Sequence, residues 1–130
     1  MSFKEWKISS TVIEPAELVG EVFDLKAVAI FFDKFGKKYR KRMHVDTKSD
    51  VTIIPLSFAE LLGLKFEVKA IVNGSEGYLS RVKMKMGEKE FVTTVFCESK
   101  GKSYILGVKT LQEFSSIEID FKNKLLRFHY

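Results

Sequence analysis

Only one cysteine, Cys97, occurs in the chain, so no internal disulfide can hold it together. The two histidines, His44 and His129, lie far apart and lack the cysteine or acidic spacing of a metal site. No apolar run approaches the ~20 residues needed to cross a bilayer, which argues against a membrane helix. The opening MSFKEWKISS has no apolar stretch of the secretory type, so the default expectation is a cytoplasmic protein. Glycine-rich phosphate loops are missing too. Asn73-Gly74-Ser75 matches neither a phosphate loop nor a dinucleotide fingerprint, and no cofactor is expected.

The formal charge of +5 comes without a zinc-finger, helix-turn-helix or aromatic-glycine signature, so nucleic acid is not the expected partner. Much of the charge sits in Lys34, Lys37, Lys38, Arg40, Lys41, Arg42 and Lys48. These read as the solvated rim of a hairpin, able to steer an anionic partner. Cys97 lies in the apolar run VFC and reads as a small buried hydrophobe.

What is present suits one globular domain. A chain of 130 residues with 45% hydrophobic and 30% charged content can bury a real core. Residues 1–130 form one expected domain, in which residues 1–20 are an N-terminal arm of open role. VFDLKAVAIFF (residues 22–32) favours a strand. The turn DKFGKK follows, with Gly36 free to take positive φ, and residues 39–45 return as a second strand that arrives at Asp46. Thr52 to Ile54 is β-prone and stops at Pro55.

SFAELLGL predicts a short helix capped by Ser57 and ended by Gly63, with Phe58, Leu61 and Leu62 inward. EPAELVGEV offers a helical turn started by Pro15. A strand is expected over 66–72, and NGSEG (73–77) is a sharp or mobile loop. Residues 78–86 alternate with a period of two, placing Ser80, Val82, Met84 and Met86 opposite Arg81, Lys83 and Lys85. Strands are also expected at 91–97, 104–106, 117–121 and 125–130, with a helical turn at 110–114. The pattern is all-β with short helices.

Taken alone, an aspartate after a strand, such as Asp46, is usually a cap or turn residue. Its neighbours change that reading. Asp46-Thr47-Lys48-Ser49-Asp50, followed by VTIIP, resembles the catalytic loop of retroviral-type (retropepsin-like) aspartic proteases, where Asp-Thr-Gly-Ser or Asp-Thr-Gly-Ala stands. Ile105-Leu106-Gly107 resembles the later hydrophobic-hydrophobic-Gly motif of that family. Thr110, Leu111 and Phe114 fit the short helix behind it, and Ile119-Asp120-Phe121 the strand after that. The resemblance spans residues 23–128 and implies a closed acid-protease barrel, with short helices after the active loop and after Ile105-Leu106-Gly107.

By the same resemblance, Asp46 is the catalytic carboxylate and Thr47 locks the loop across a dimer axis. Ser49 fills the small position beneath the carboxylates. Asp50 contacts the substrate backbone, or folds back onto loop amides. Asn73, Gly74, Ser75 and Gly77 belong to a flap over the cleft. The single motif implies a homodimer, with a peptide or protein as substrate. Two facing carboxylates share one proton, so one can activate water while the other protonates a carbonyl. Terminal strands interleave at the dimer interface in this family, and residues 121–130 invite that role or that of an edge strand on their own core. Lys48 stands where the family keeps glycine. Its cation has Asp46 and Asp50 as possible partners, and a catalytically inactive, peptide-binding homodimer is the alternative that it raises.

Overall fold

A computed structural model describes residues 2–130. Twelve strands and two short helices follow in the order β1 (Phe3–Lys7), β2 (Ser9–Ile13), β3 (Gly20–Asp24), β4 (Lys26–Phe32), β5 (Lys38–Val45), β6 (Thr52–Pro55), α1 (Leu56–Leu62), β7 (Val68–Val72), β8 (Ser75–Met86), β9 (Lys89–Glu98), β10 (Ile105–Leu106), α2 (Val108–Leu111), β11 (Ser116–Asp120) and β12 (Leu125–His129). The all-β class with short helices is as the patterning predicts. Among the described residues, no helix is long and apolar enough to cross a membrane.

The expected single closed barrel is not what forms. The strands divide into three sheets: β1-β12-β11, the ribbon β2-β3, and a seven-stranded sheet in the order β4-β5-β10-β6-β9-β8-β7. β4 curls round to meet β8 at only two residue pairs, Ile30↔Lys85 and Phe31↔Met84. The cause lies in β8, which is 12 residues long. Its outer edge is shared: residues 75–79 bond to β7 and residues 84–85 to β4, so β7 remains a free edge beyond the curl.

Other details correct the sequence reading. Residues 22–32 are not one strand. The chain leaves one sheet and enters another at Leu25, giving β3 and β4. Pro15 opens a single turn, in which the Leu18 and Val19 amides donate to Pro15 O, each at 3.0 Å, and no longer helix follows. Helix α1 is capped by Pro55, two residues before the expected Ser57, with no side-chain cap. Phe58, Ala59 and Leu62 are its buried residues, whereas Leu61 points to solvent at 60% exposure. Gly63 does end it, at φ +71° in the left-handed region.

Phe58 is the aromatic hub of the main core. Its ring makes edge contacts with Phe31 at 5.3 Å and Tyr104 at 5.4 Å, geometry in which ring edges meet electron-rich faces. On β8, Ser80, Val82, Met84 and Met86 are buried, as the alternation predicts, and Arg81 and Lys83 face out. Cys97 is fully buried, and burial pushes its thiol pKa up to about 12. A thiol reagent at mildly alkaline pH is expected to leave native Cys97 untouched and to label it only in denaturant. Fast native labelling would contradict this burial.

The terminal sheet packs on the body through Phe114, whose ring lies 5.0 Å from Phe128 and 5.9 Å from Phe91. Trp6 meets Phe128 edge-on at 5.1 Å. Arg127 ties the three strands together, with Nε donating to Glu5 at 2.6 Å and Nη1 reaching Glu118 and Asp120 at 3.2 and 3.5 Å. The Glu118 carboxyl lies below its usual range, first through a hydrogen bond from His129 and then through Arg127. Asp120 is lowered by Asn123 first and Arg127 after it. A depressed carboxylate adds stability above its unfolded pKa of roughly 4, and that stability disappears as pH falls through the lower folded value. Acidification below about pH 4 is therefore expected to loosen this sheet. The emission of Trp6, the one tryptophan, checks it, and an unchanged spectrum at about pH 2 contradicts it.

Candidate functional site

Asp46 follows β5 at the point where three segments meet. Its amide donates to Leu106 O at 3.0 Å, and the preceding Val45 N donates to Leu25 O at 2.9 Å. The loop then turns on itself. Lys48 N donates to Asp46 Oδ1 at 2.8 Å and Ser49 N to Asp46 O at 3.3 Å. This is an aspartate-nucleated turn, in which the side chain mimics a backbone carbonyl. Asp46 and Thr47 are half-buried, while Lys48 and Asp50 are exposed. Ser49 is buried at 5% exposure, and its hydroxyl donates to Val51 O at 2.7 Å.

Gly107 holds the loop from behind. A Cβ at this position would lie 2.2 Å from Val51 O and 2.8 Å from Ser49 O. Only glycine admits that approach. The residues after it complete the seam: Val108 N donates to Ser49 O at 2.8 Å and Lys109 N to Asp50 O at 2.9 Å. It is thus the backbone carbonyl of Asp50, not its carboxylate, that bonds back to the fold.

Beneath the seam lies a polar cluster that the sequence reading missed. Gly107 N donates to Thr52 Oγ1 at 3.1 Å. Thr52 and Thr110 hydroxyls are 2.5 Å apart, and Thr93 lies 3.1 Å from Thr110. All three threonines are buried. Sequence signals exist, since Thr52 opens an otherwise apolar strand and Thr110 follows Gly107 closely, but the partnership joins residues 58 positions apart.

Lys48 takes neither of its expected partners. Among the described residues no ion pair links Lys48 to Asp46 or Asp50, and its contact with Asp46 is made by the backbone amide. Positive φ outside glycine occurs at Asn73 and Lys124, not at Lys48. The turn therefore does not demand glycine for its backbone conformation, and the lysine side chain simply projects from the exposed tip. His44 instead bonds Asp24 through Nδ1 at 3.3 Å. Among the described residues no group of three or more His, Cys, Asp and Glu side chains could hold a metal ion.

The four expected flap residues separate into two roles. Asn73 and Gly74, at φ 50° and 79°, form the two-residue turn between Val72 and Ser75. Both central residues have positive φ, as the tight hairpin turn matching strand twist requires. Ser75 and Gly77 lie in β8. Gly77 is buried against β9, where a Cβ would sit 2.2 Å from Cys97 O. A groove is lined by Gly74, Ser75 and Glu76 with Glu98, Ser99 and Lys100, and by no residue of the loop 46–50.

Solved structures share this fold. A retropepsin-like aspartic protease from Rickettsia conorii superposes with a TM-score of 0.59 at 18% identity, over 98% of this chain and 91% of that one. The retroviral protease-like domain of Ddi1 from Leishmania major gives 0.59 at 14% identity, over 83% and 94%. The EIAV protease complexed with the inhibitor HBY-793 gives 0.53 at 16%, over 69% and 86%. No family model and no curated protein matches the sequence. The chain accordingly has a retropepsin-like fold.

Gly107→Ala is expected to destabilise the protein by about 1–3 kcal/mol or more, because the added methyl must push the loop backbone aside. Urea denaturation measures it. An alanine variant with unchanged midpoint would mean that the seam is loose.

Proposed function

We propose that this chain is an aspartic-type endopeptidase that works as a homodimer, with Asp46 of each protomer forming the catalytic pair. The single observation that carries this reading is the Asp46 loop itself: a half-buried carboxylate on a turn clamped to Leu106 and Gly107, inside a retropepsin-like fold. A catalytic group must be held to within about half an ångström by its support, and this one is held by backbone bonds on both sides.

One carboxylate cannot serve as base and acid at once, and twofold pairing supplies the second. Two close carboxylates share a proton because both cannot ionise easily. The ionised member takes a proton from water, whose oxygen attacks the peptide carbonyl carbon. The protonated member gives its proton to the carbonyl oxygen. Collapse of the tetrahedral intermediate breaks the C–N bond, the amine leaves with a proton, and the pair returns to its singly protonated state. In this reading Thr47 locks the two loops and Ser49 packs beneath the pair. Lys48 and Asp50 line the cleft floor. Asn73, Gly74 and Ser75 close over the peptide, and Gly77 seats that hairpin on β9. Peptide or protein is the substrate.

Lys48 favours a second reading, a protease-like dimer that binds a peptide without cutting it. Two exposed ammonium groups beside the pair would favour ionisation of both carboxylates and remove the shared proton. Incubation of the purified chain with an unstructured protein from about pH 3 to about pH 7 distinguishes the readings. Cleavage is expected in the wild type and is abolished in Asp46→Asn, with a loss of roughly 10³-fold or more. An inert wild type with an active Lys48→Gly variant supports the binding role. No cleavage by either sinks the peptidase.

A further inference from the structure

Packing sorts the cations that crowd residues 34–42 into two sets. Lys41 turns to the inner side of β5 and is half-buried, with Nζ 4.9 Å from the rings of both Phe58 and Tyr104. Lys34 and Lys37 lie over Phe35 and Tyr39 at the hairpin turn. Lys38, Arg40 and Arg42 are exposed on the outer face of β5. They stand in register opposite Phe32, Ile30 and Val28 of β4, and Ile30 pairs in turn with Lys85 of β8. A groove on this face is lined by Lys4, Trp6, Val28, Ile30, Arg40 and Lys85. It continues past Val28 and Arg40 to Arg42. The carboxylates at its two ends are already engaged: Asp24 by Lys26 at 3.1 Å and His44 at 3.3 Å, and Glu90 by Lys83 at 3.6 Å. Among the described residues, no carboxylate lies within ion-pair distance of Lys4, Lys38, Arg40, Arg42 or Lys85.

We propose that this face binds an extended acidic segment of another polypeptide, with carboxylates seated on Arg40, Arg42 and Lys85 and aliphatic groups packed on Val28 and Ile30. The site is separate from the proposed peptidase centre, since no residue of the loop 46–50 lines it. Charge selects an anion, because the cations here lack partners within the chain. Spacing selects an extended chain. Lys38, Arg40 and Arg42 recur at every second residue of β5, about 6.6–6.8 Å apart, which is the repeat at which another extended polypeptide presents the side chains of one side. Two of the three are arginines, whose planar fork takes a carboxylate by two parallel hydrogen bonds. Nucleic acid carries the same sign of charge, but its bases need open aromatic faces. The rings here are committed: Trp6 meets Phe128 edge-on at 5.1 Å, and Phe32 is buried beneath Lys38 and Lys83. The half-buried aliphatic floor of Val28 and Ile30 suits side chains instead.

Fluorescence anisotropy with a labelled peptide of about 12 glutamates, long enough at about 3.3 Å per residue to pass all three β5 cations, tests this. The full chain is titrated at about pH 7 and about 50 mM salt, with an oligothymidylate of similar charge as the comparison. The wild type is expected to bind the peptide more tightly than the oligonucleotide, and to weaken as salt rises to about 200 mM. Arg40→Gln with Arg42→Gln is expected to raise the peptide Kd roughly 5- to 30-fold. Lys102→Gln with Lys122→Gln removes the same charge from two exposed positions elsewhere, and is expected to leave the Kd within about twofold. Trp6 lines the groove and is the one tryptophan, so a shift in its emission on peptide binding supplies a readout free of mutation. No binding at about 1 mM peptide, an equal loss in the two double variants, or an unmoved Trp6 spectrum overturns the proposal. Tighter binding of the oligothymidylate through the same arginines overturns it in favour of nucleic acid. None of these outcomes bears on the peptidase reading, which cleavage tests by itself.

Discussion

The close approach of Gly107 to the carbonyls of Ser49 and Val51 is the contact on which the site depends. Two backbones meet there with no room for a side chain, and the amides of Val108 and Lys109 then fall within bonding distance of Ser49 O and Asp50 O. Leu106 O, one residue before the glycine, receives the Asp46 amide. The aspartate is thus positioned from β10 and α2, far along the chain, as much as from β5. The buried threonines below supply hydroxyl partners where a purely apolar filling would leave Gly107 N unpaired, at a cost of about 1–3 kcal/mol.

Lys48 separates two demands that glycine meets together. A glycine can adopt a left-handed backbone and can also leave space for a neighbour. The turn here needs neither left-handed geometry nor a cation, since Lys48 engages Asp46 only through its amide. What the lysine alters is the space and charge above the loop. The fold tolerates the change because the side chain projects from the exposed tip of the loop.

The terminal segments show how one chain spends its strand edges. β12 is the middle strand of its sheet, with Leu126 and Phe128 fully buried, so the aromatic C-terminus covers its own core. Arg127 draws Glu5, Glu118 and Asp120 onto one guanidinium. The ribbon β2-β3 touches this sheet's turn through Phe23 on Phe121 and Glu21 with Lys124.

Short-range patterns were readable from the amino acids alone. Alternation along residues 78–86, the Asn-Gly turn, the Gly63 helix stop and the Asp46 and Ile105-Leu106-Gly107 strings each depend on neighbours within a few positions. The break at Leu25 was not readable, because VFDLKAVAIFF is rich in Val, Ile and Phe on both sides of it and only pairing partners assign its halves to different sheets. The open edge at β7 and the exposure of Leu61 likewise depend on which surfaces meet. Sequence by itself determined that a β-prone segment would deliver the Asp46 carboxylate and that a glycine would follow Ile105-Leu106. Only the tertiary structure decided that Lys48 stands unpaired, that three distant threonines share hydrogen bonds, and that β12 has no free edge. Those outcomes follow from long-range contacts, whose geometry is set by packing rather than by local propensity.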